Sequence, residues 1–504
     1  MLRKLTLGRR QFLLASASAA ALAALPGHKA LAQSGDVTLP IVSDKKFEGQ
    51  TVIVTSEAGP PISGPIQHFG HIWEEATGAT IDLVTYPHGE FFEKLRTELV
   101  SGAYTSDLVN FQSGWSGDFI GGGFLETVPE EILPLIGIDD YYPTYRDTMS
   151  WDGTMSGVVY DGNVHNLFYR RDLFENADNQ KAYEDKYGEP LAVPRTWDAF
   201  HRVTEFFNSF DWAGTGNSFG FVEPMGRGSG GVFFLIGRGL SYSKRQGDPH
   251  AFFHPDSMEP RLTEAGWIQA LEDRRRNSEN GPPGLINFGF SEARPAFTGG
   301  QAAMVTDWGD IGTLSYGKDS TIRGMCGTAL VPGPAQFFDR ESQSWMDSPG
   351  GANHAPYLAV TAWLFGVPKT AENKEAAWNL VAFFCNPESS TTLVAFPDSG
   401  IQPSRNSNIT GTQPLIDAGM DPRDAEEYLG AIGESIGHPN AVLDLRIPGG
   451  GEYYNKLDTA TSRFMADEIS AEEAMKSASD EWERTTDRLG RDRQRELYLA
   501  STAG

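Results

Sequence analysis

The chain has 504 residues, of which 39% are hydrophobic and 11% aromatic. That is enough to bury a sizeable core and too apolar for a disordered protein. With 41 Lys and Arg against 67 Asp and Glu the formal net charge is −26, which repels phosphate backbones and argues against nucleic acid and anionic membranes as partners.

The first 32 residues order themselves as a basic head, "MLRKLTLGRR", an Ala-rich apolar stretch, "QFLLASASAAALAALPG", and a small-x-small tripeptide, "ALA", at 30–32. This order predicts an export signal removed before Gln33. Arg9-Arg10 followed by Gln11-Phe12-Leu13 is similar to a twin-arginine signal, and ordinary Sec export is the alternative. No cysteine lies near the cleavage site, so no lipid anchor is expected, and the apolar run is shorter than the roughly 20 residues of a membrane span. The signal carries five Lys or Arg and no acid, leaving 36 basic against 67 acidic residues, a formal charge of −31. The plain reading of that acidity is solubility.

The mature region then alternates strands and helices. "TVIVTSEAG" is a β-branched strand, "GPIQHFGHIWEEATG" carries Ile66, Phe69, Ile72 and Trp73 at helical spacing, "ATIDLVTYP" is a second strand, and "GEFFEKLRTELVSG" a second amphipathic helix closed by Gly102. A third strand, Asp107 to Phe111, runs into Gln112-Ser113-Gly114-Trp115. This β-α-β-α-β order predicts a parallel α/β sheet, in which ligands sit at the carboxyl ends of the strands. Trp115 at such an end either caps the core or offers a face to a ligand.

Further on, "GVVYDGNVHNLFYRRDLFE" is an apolar strand interrupted by Asp161, Gly162 and Asn163, a pattern of bends and sites. "VPRTWDAFHRVTEFFNSF" predicts a helix capped by Thr196. "RPAFTGGQAAMVTDWGDIGTL" ends a helix, gives a strand over 302–306 and places Asp307, Trp308 and Asp310 just past it. "YLAVTAWLFGVPKTAENKEAAWNLVAFFCNP" is a strand holding Trp363, a turn and a helix, and "SAEEAMKSASDEWERTTDRLG" is a last amphipathic helix. The two cysteines, Cys326 and Cys385, have no CxxC neighbour; export to an oxidising space allows a disulfide between them, and two isolated buried thiols are the expected state.

Taken in order, "WSGDFIGGGFLETV", "GVVYDGNVHNLFYRRDLF", "VPRTWDAF", "AFTGGQAAMVTDWGD", "FGVPKTAENKEAAWNLVAFF" and "GIQPSRNS" resemble the extracellular solute-binding proteins of ABC importers, in the family that includes maltose- and other sugar-binding proteins. The resemblance implies an α/β, two-lobed periplasmic-binding-protein fold of type II, each lobe a mostly parallel sheet flanked by helices, joined by crossing hinge strands. It places residues 33–158 with 360–425 in the first lobe and 159–359 with 426–504 in the second. It implies a soluble periplasmic monomer without cofactor, metal or enzymatic activity. Such a protein captures a carbohydrate (sugar, oligosaccharide or polyol) and delivers it to inner-membrane ABC permease subunits.

The residues supply matching chemistry. An aromatic ring covers the apolar face of a sugar, while carboxylates and amides bond its hydroxyls. The candidate ligand-binding residues are therefore Glu57, Gln112, Trp115, Asp161, Asn163, Asp307, Trp308, Asp310, Asn353 and Trp363. Acids beside tryptophans also suit a cationic ligand. The rival class is an exported carbohydrate-active enzyme, which needs two carboxylates at a set separation. No acid pair stands out, and HExxH and P-loop motifs are absent. "GRGSGG" at 226–231 fits GxGxxG only by spacing and reads as a glycine-rich loop.

Overall fold

The computed structural model describes residues 37–59, 62–397 and 399–502; the export signal, its twin-arginine pair and the cleavage site lie outside the described residues. The strands are β1 (Thr51–Glu57), β2 (Thr80–Tyr86), β3 (Leu108–Gln112), β4 (Ser150–Trp151), β5 (Thr154–Met155), β6 (Val158–Gly162), β7 (His165–Arg170), β8 (Phe219–Val222), β9 (Ala302–Trp308), β10 (Cys326–Leu330), β11 (Gln336–Asp339), β12 (Ser344–Asp347) and β13 (Ala362–Gly366). The helices used below are α1 (Gly64–Thr77), α2 (His88–Ser101), α3 (Trp197–Asn208), α4 (Gly231–Ser243), α5 (Lys374–Cys385), α6 (Pro422–Ile436), α7 (Gly450–Met465) and α8 (Ala471–Leu489).

Two principal sheets form, one in the order β2-β1-β3-β13-β6 and one in the order β10-β7-β9-β8. Each has a single reversed strand. β13 runs antiparallel to β3 and β6 while β1, β2 and β3 run parallel. β7 runs antiparallel to β9 and β10 while β8 and β9 run parallel. The reversed strands are the two that arrive from the other sheet: β6 ends at Gly162 in the first sheet and β7 starts at His165 in the second. A chain that leaves one sheet at the carboxyl ends of its strands enters the next from that same rim, and so runs against its neighbours.

The helices form where the sequence patterns predict. Gly78 and Gly102 end α1 and α2 with φ of 76° and 67°, the left-handed conformation glycine adopts without a β-carbon penalty. Ile66, Phe69 and Trp73 of α1 pack with Trp378, Phe383 and Phe384 in one core around the first sheet, and the Trp73 indole N–H donates to Asn379 Oδ1 at 2.8 Å. Thr196 caps α3 by accepting from Ala199 N at 3.2 Å, and α3 turns Trp197, Phe200, Val203 and Phe207 inward. Asp307 and Trp308, expected just past β9, are its last two residues. Cys326 and Cys385 are buried and unpaired.

Sheet and helix approach closely at Gly220 in β8, where a β-carbon would stand 1.8 Å from the Thr204 carbonyl oxygen of α3. Backbone cannot yield as a side chain does, so Gly220→Ala is expected to destabilise the second sheet by about 3 kcal/mol. A thermal melt beside the wild type checks this; an unchanged melting temperature refutes the tight approach.

Candidate functional site

The reversed strands bring predicted residues to one level. Gln112, last in β3, pairs in register with Trp363, second in β13. In the other sheet His165, first in β7, pairs with Trp308, last in β9. Glu57 ends β1, and Glu223 follows β8. Both rims therefore present carboxyl strand ends.

The rims face each other closely. A β-carbon on Gly89 would lie 3.5 Å from the Gly228 carbonyl oxygen, and the His88 and Phe290 rings meet edge-on with centroids 6.5 Å apart. The start of α7 presses on the turn after β3. β-Carbons on Gly450 and Gly451 would stand 2.9 Å from Gly114 O and 3.1 Å from the Phe92 ring. Gly450 and Gly451 thus have a steric reason: a side chain at Gly450 would press on the turn bearing Trp115, and one at Gly451 on Phe92 of α2.

The first rim is aromatic. The Trp115 ring lies 5.7 Å from Phe91, 5.2 Å from Phe92, 5.9 Å from Phe119 and 6.0 Å from Trp363, and is 7% exposed. On the second rim Trp308 meets His165 at 4.5 Å, Phe234 at 5.0 Å and Phe290 at 5.5 Å. Its indole N–H donates to Ala359 O at 2.8 Å.

Charged groups here are already matched. His88 Nδ1 donates to Glu57 Oε2 at 2.7 Å, and the Glu57 charge raises the His88 pKa above the usual imidazole value. Arg274 Nε donates to Glu223 Oε1 at 2.9 Å, and Thr306 Oγ1 to Glu223 Oε2 at 2.6 Å. Arg294 bridges Asp307 at 3.0 Å and Asp310 at 2.8 Å. Burial pushes Asp310 up to about 6 despite that guanidinium. Asp458 accepts from Gly228 N at 2.8 Å.

Asp161 and Asn163 sit in the first crossing, with Gln402 as their common partner. Gln402 N donates to Asp161 Oδ1 at 2.7 Å, and Gln402 Nε2 to Asn163 Oδ1 at 2.7 Å and Asp310 Oδ2 at 3.0 Å. Gln402 Oε1 accepts from Gly309 N at 2.8 Å. Burial, with the nearby Asp310 charge adding to it, holds the Asp161 carboxyl well above the usual range. Asn353 is not brought to the rims: its amide donates to Ser241 O and Lys244 O at 2.7 and 2.8 Å.

At the second rim His165 Nε2 is left without a hydrogen-bond partner. Gln112 Nε2 and Ser116 Oγ are buried without a hydrogen-bond partner. Sequence reasoning missed His88, Glu223, His165, Tyr454 and Asp444. An acid immediately after a strand in "FGFVEPMG" and the glycine run in "PGGGEYY" were the available signals for Glu223 and the α7 contact.

Comparison with known proteins agrees with this geometry. The profile of the bacterial extracellular solute-binding proteins matches residues 55–390. The chain belongs to that family. This solute-binding protein is 23% identical over 379 residues to the "Probable amino-acid ABC transporter periplasmic-binding protein y4oP" of Sinorhizobium fredii, covering 73% of this chain and 77% of the relative. Its fold is that of an ABC transporter solute-binding protein from Agrobacterium radiobacter K84 in complex with ribitol, with TM-score 0.70, 18% identity, and 87% and 100% of the two chains covered. It likewise matches one from Agrobacterium vitis S4 with bound D-mannitol, at TM-score 0.69, 19% identity and 88% and 99% coverage. No helix among the described residues is long and apolar enough to cross a membrane.

His165 yields a pH prediction. Its ring stacks on Phe234 at 4.5 Å and 10°, Nε2 has no partner, and burial lowers its pKa to about 3. Between about pH 6.5 and 3 the unfolded chain binds a proton there that the folded protein does not. This residue's contribution therefore falls as pH drops, by about 1.4 kcal/mol per unit. His165→Gln is expected to flatten the acid loss of melting temperature between pH 6.5 and 4.5; equal slopes in both proteins would refute the assignment.

Proposed function

We propose that this protein captures a small, neutral, polyhydroxylated ligand, a sugar or polyol, between its two rims and hands it to an inner-membrane ABC permease. The observation that carries this reading is the composition of the rims. Tryptophans stand on both sides, the Glu57, Glu223, Asp307 and Asp310 carboxylates are matched within the protein, and the buried rim atoms without a partner, Gln112 Nε2, Ser116 Oγ and His165 Nε2, belong to neutral side chains. Rings cover C–H faces and neutral donors bond hydroxyls, whereas an ionic ligand needs a free counter-charge. The ribitol and D-mannitol bound by the two structural neighbours support the same class.

In this reading the lobes comprise residues 33–158 with 360–425 and 159–359 with 426–504, and close about the crossings. α6 packing beside β10 and β7 supports assigning the chain from about 425 onward to the second lobe. The protein acts as a periplasmic monomer after removal of a twin-arginine signal, and releases its ligand unchanged. Asp161, Asn163, Asp307 and Asp310 shape the second rim through Gln402 and Arg294, while Glu57, Gln112, Trp115, Trp308 and Trp363 touch the ligand.

The test is a thermal-shift screen of the chain from Gln33 onward against D-mannitol, ribitol, mono- and oligosaccharides, and amines. A ligand at a hundredfold excess over its Kd adds about 2.7 kcal/mol of stability. The expected result is a shift with one sugar or polyol class, lost in Trp115→Ala and in Trp308→Ala, with the ligand recovered intact. Shifts confined to amines would overturn the ligand class, and turnover would overturn the binding role.

A further inference from the structure

The segment that returns the chain to the first sheet contains Val360, whose φ is +52°. A β-branched residue in the left-handed region sets its side chain against its own backbone and persists only where the surroundings hold it. The neighbouring hydrogen bonds converge on one carboxylate. Asp444 Oδ1 accepts from Val360 N at 3.2 Å and from Tyr357 OH at 2.7 Å. Asp444 Oδ2 accepts from Thr361 N at 2.7 Å, Thr361 Oγ1 at 3.3 Å and Ser113 Oγ at 3.4 Å.

The consequences of that turn reach both rims. Ala359, immediately before Val360, offers the carbonyl that receives the Trp308 indole N–H. Thr361, immediately after it, accepts from Asn163 N of the other crossing at 3.0 Å. Ser113, between Gln112 and Trp115, also accepts from Ala362 N at 3.3 Å, one residue before Trp363. The Tyr357 hydroxyl meets that of Tyr454 at 3.2 Å, and the Tyr454 ring lies 5.5 Å from Phe233, itself beside Trp308.

We propose that Asp444 is the positioning residue of the binding site. By holding Val360 in a left-handed turn it aims the Ala359 carbonyl at Trp308 and fixes the start of β13, and so sets the relative pose of the two aromatic rims. Without the carboxylate Val360 relaxes toward extended backbone, the Trp308 indole loses its acceptor, and the lobes open. The inference rests on reading the protein as a two-lobed clamp. It is distinct from catalysis and from ligand contact: Asp444 acts through Val360.

The experiment measures the distance between spin labels on Val100→Cys and Asp178→Cys in the ligand-free protein. Both positions are exposed, one on α2 beside the first sheet and one in the helix Ala177–Tyr187, and the native Cys326 and Cys385 are buried. Asp444→Asn keeps the shape but places an amide against N–H donors. It is expected to change the ratio of long to short distances by about tenfold, the size of effect one strained residue supports. Glycine takes the left-handed turn without strain, so Val360→Gly should leave the wild-type distribution and restore it in the Asp444→Asn, Val360→Gly double variant. A role confined to fold stability would show no such rescue. If Asp444→Asn alone fails to fold, the double variant is still expected to fold with wild-type distances, and its failure overturns the proposal. Wild-type distances in Asp444→Asn, or an identical change with and without Val360→Gly, also overturn it. A shift caused by Asp444→Asn together with no response to D-mannitol, ribitol or any sugar would instead leave the hinge role standing and remove the ligand class.

Discussion

The constraint from which the rest follows is that the chain passes between two sheets through a single rim. In a sheet of like-directed strands the carboxyl ends gather on one edge, and a chain leaving there must enter its next sheet from the same edge. That makes β7 and β13 the reversed strands, puts His165 and Trp363 at their first turns, and sets them beside Trp308 and Gln112. The residues at the rim are thus a consequence of topology before they are a matter of chemistry.

Chemistry then decides what the rim can accept. Buried carboxylates are costly unless paired, and here each is answered: Glu223 by Arg274, Asp307 and Asp310 by Arg294, Asp161 by the Gln402 backbone. The matching leaves little net field in the aromatic space. What lies there is aromatic surface and neutral polar groups, so under the proposed function recognition would rest on shape and hydroxyl geometry rather than on charge. This is why the acidity of the protein, formal charge −26 over the whole chain, says nothing about the ligand: the acids at the rim are already partnered within the protein.

The crossings are held by side chains as well as by backbone bonds such as Asn163 N to Thr361 O. Gln402 collects donors and acceptors from the first crossing and from the turn after β9, and Asp444 does so for the second. A hinge built this way rests on a few polar atoms with defined directions, which can be strained in one residue and relaxed elsewhere. Burial pushes the Asp444 carboxyl up to about 6 against five donors that favour its ionised form, a measure of how far the hub sits from water.

Most of the elements were legible in the chain itself. Periodicity of apolar residues marked α1, α2, α3 and α8, glycine marked their ends, and β-branched runs marked β1, β2 and β9, because these are local properties of neighbours three, four or two residues apart. Trp115 and Trp308 were legible as residues at strand ends for the same reason, and Trp363 as a residue within a strand. Tertiary structure alone decided which of the polar candidates stay free. Asp161, Asn163 and Asp310 are tied to Gln402, some 240 residues beyond the first crossing, and Asn353 turns to the end of α4. Hydrogen-bond partners so distant in sequence leave no periodic trace. Asp444 and Val360 were invisible for the same reason: a carboxylate becomes a hinge pin, and a valine a left-handed turn, only where the folded chain brings their donors and acceptors together.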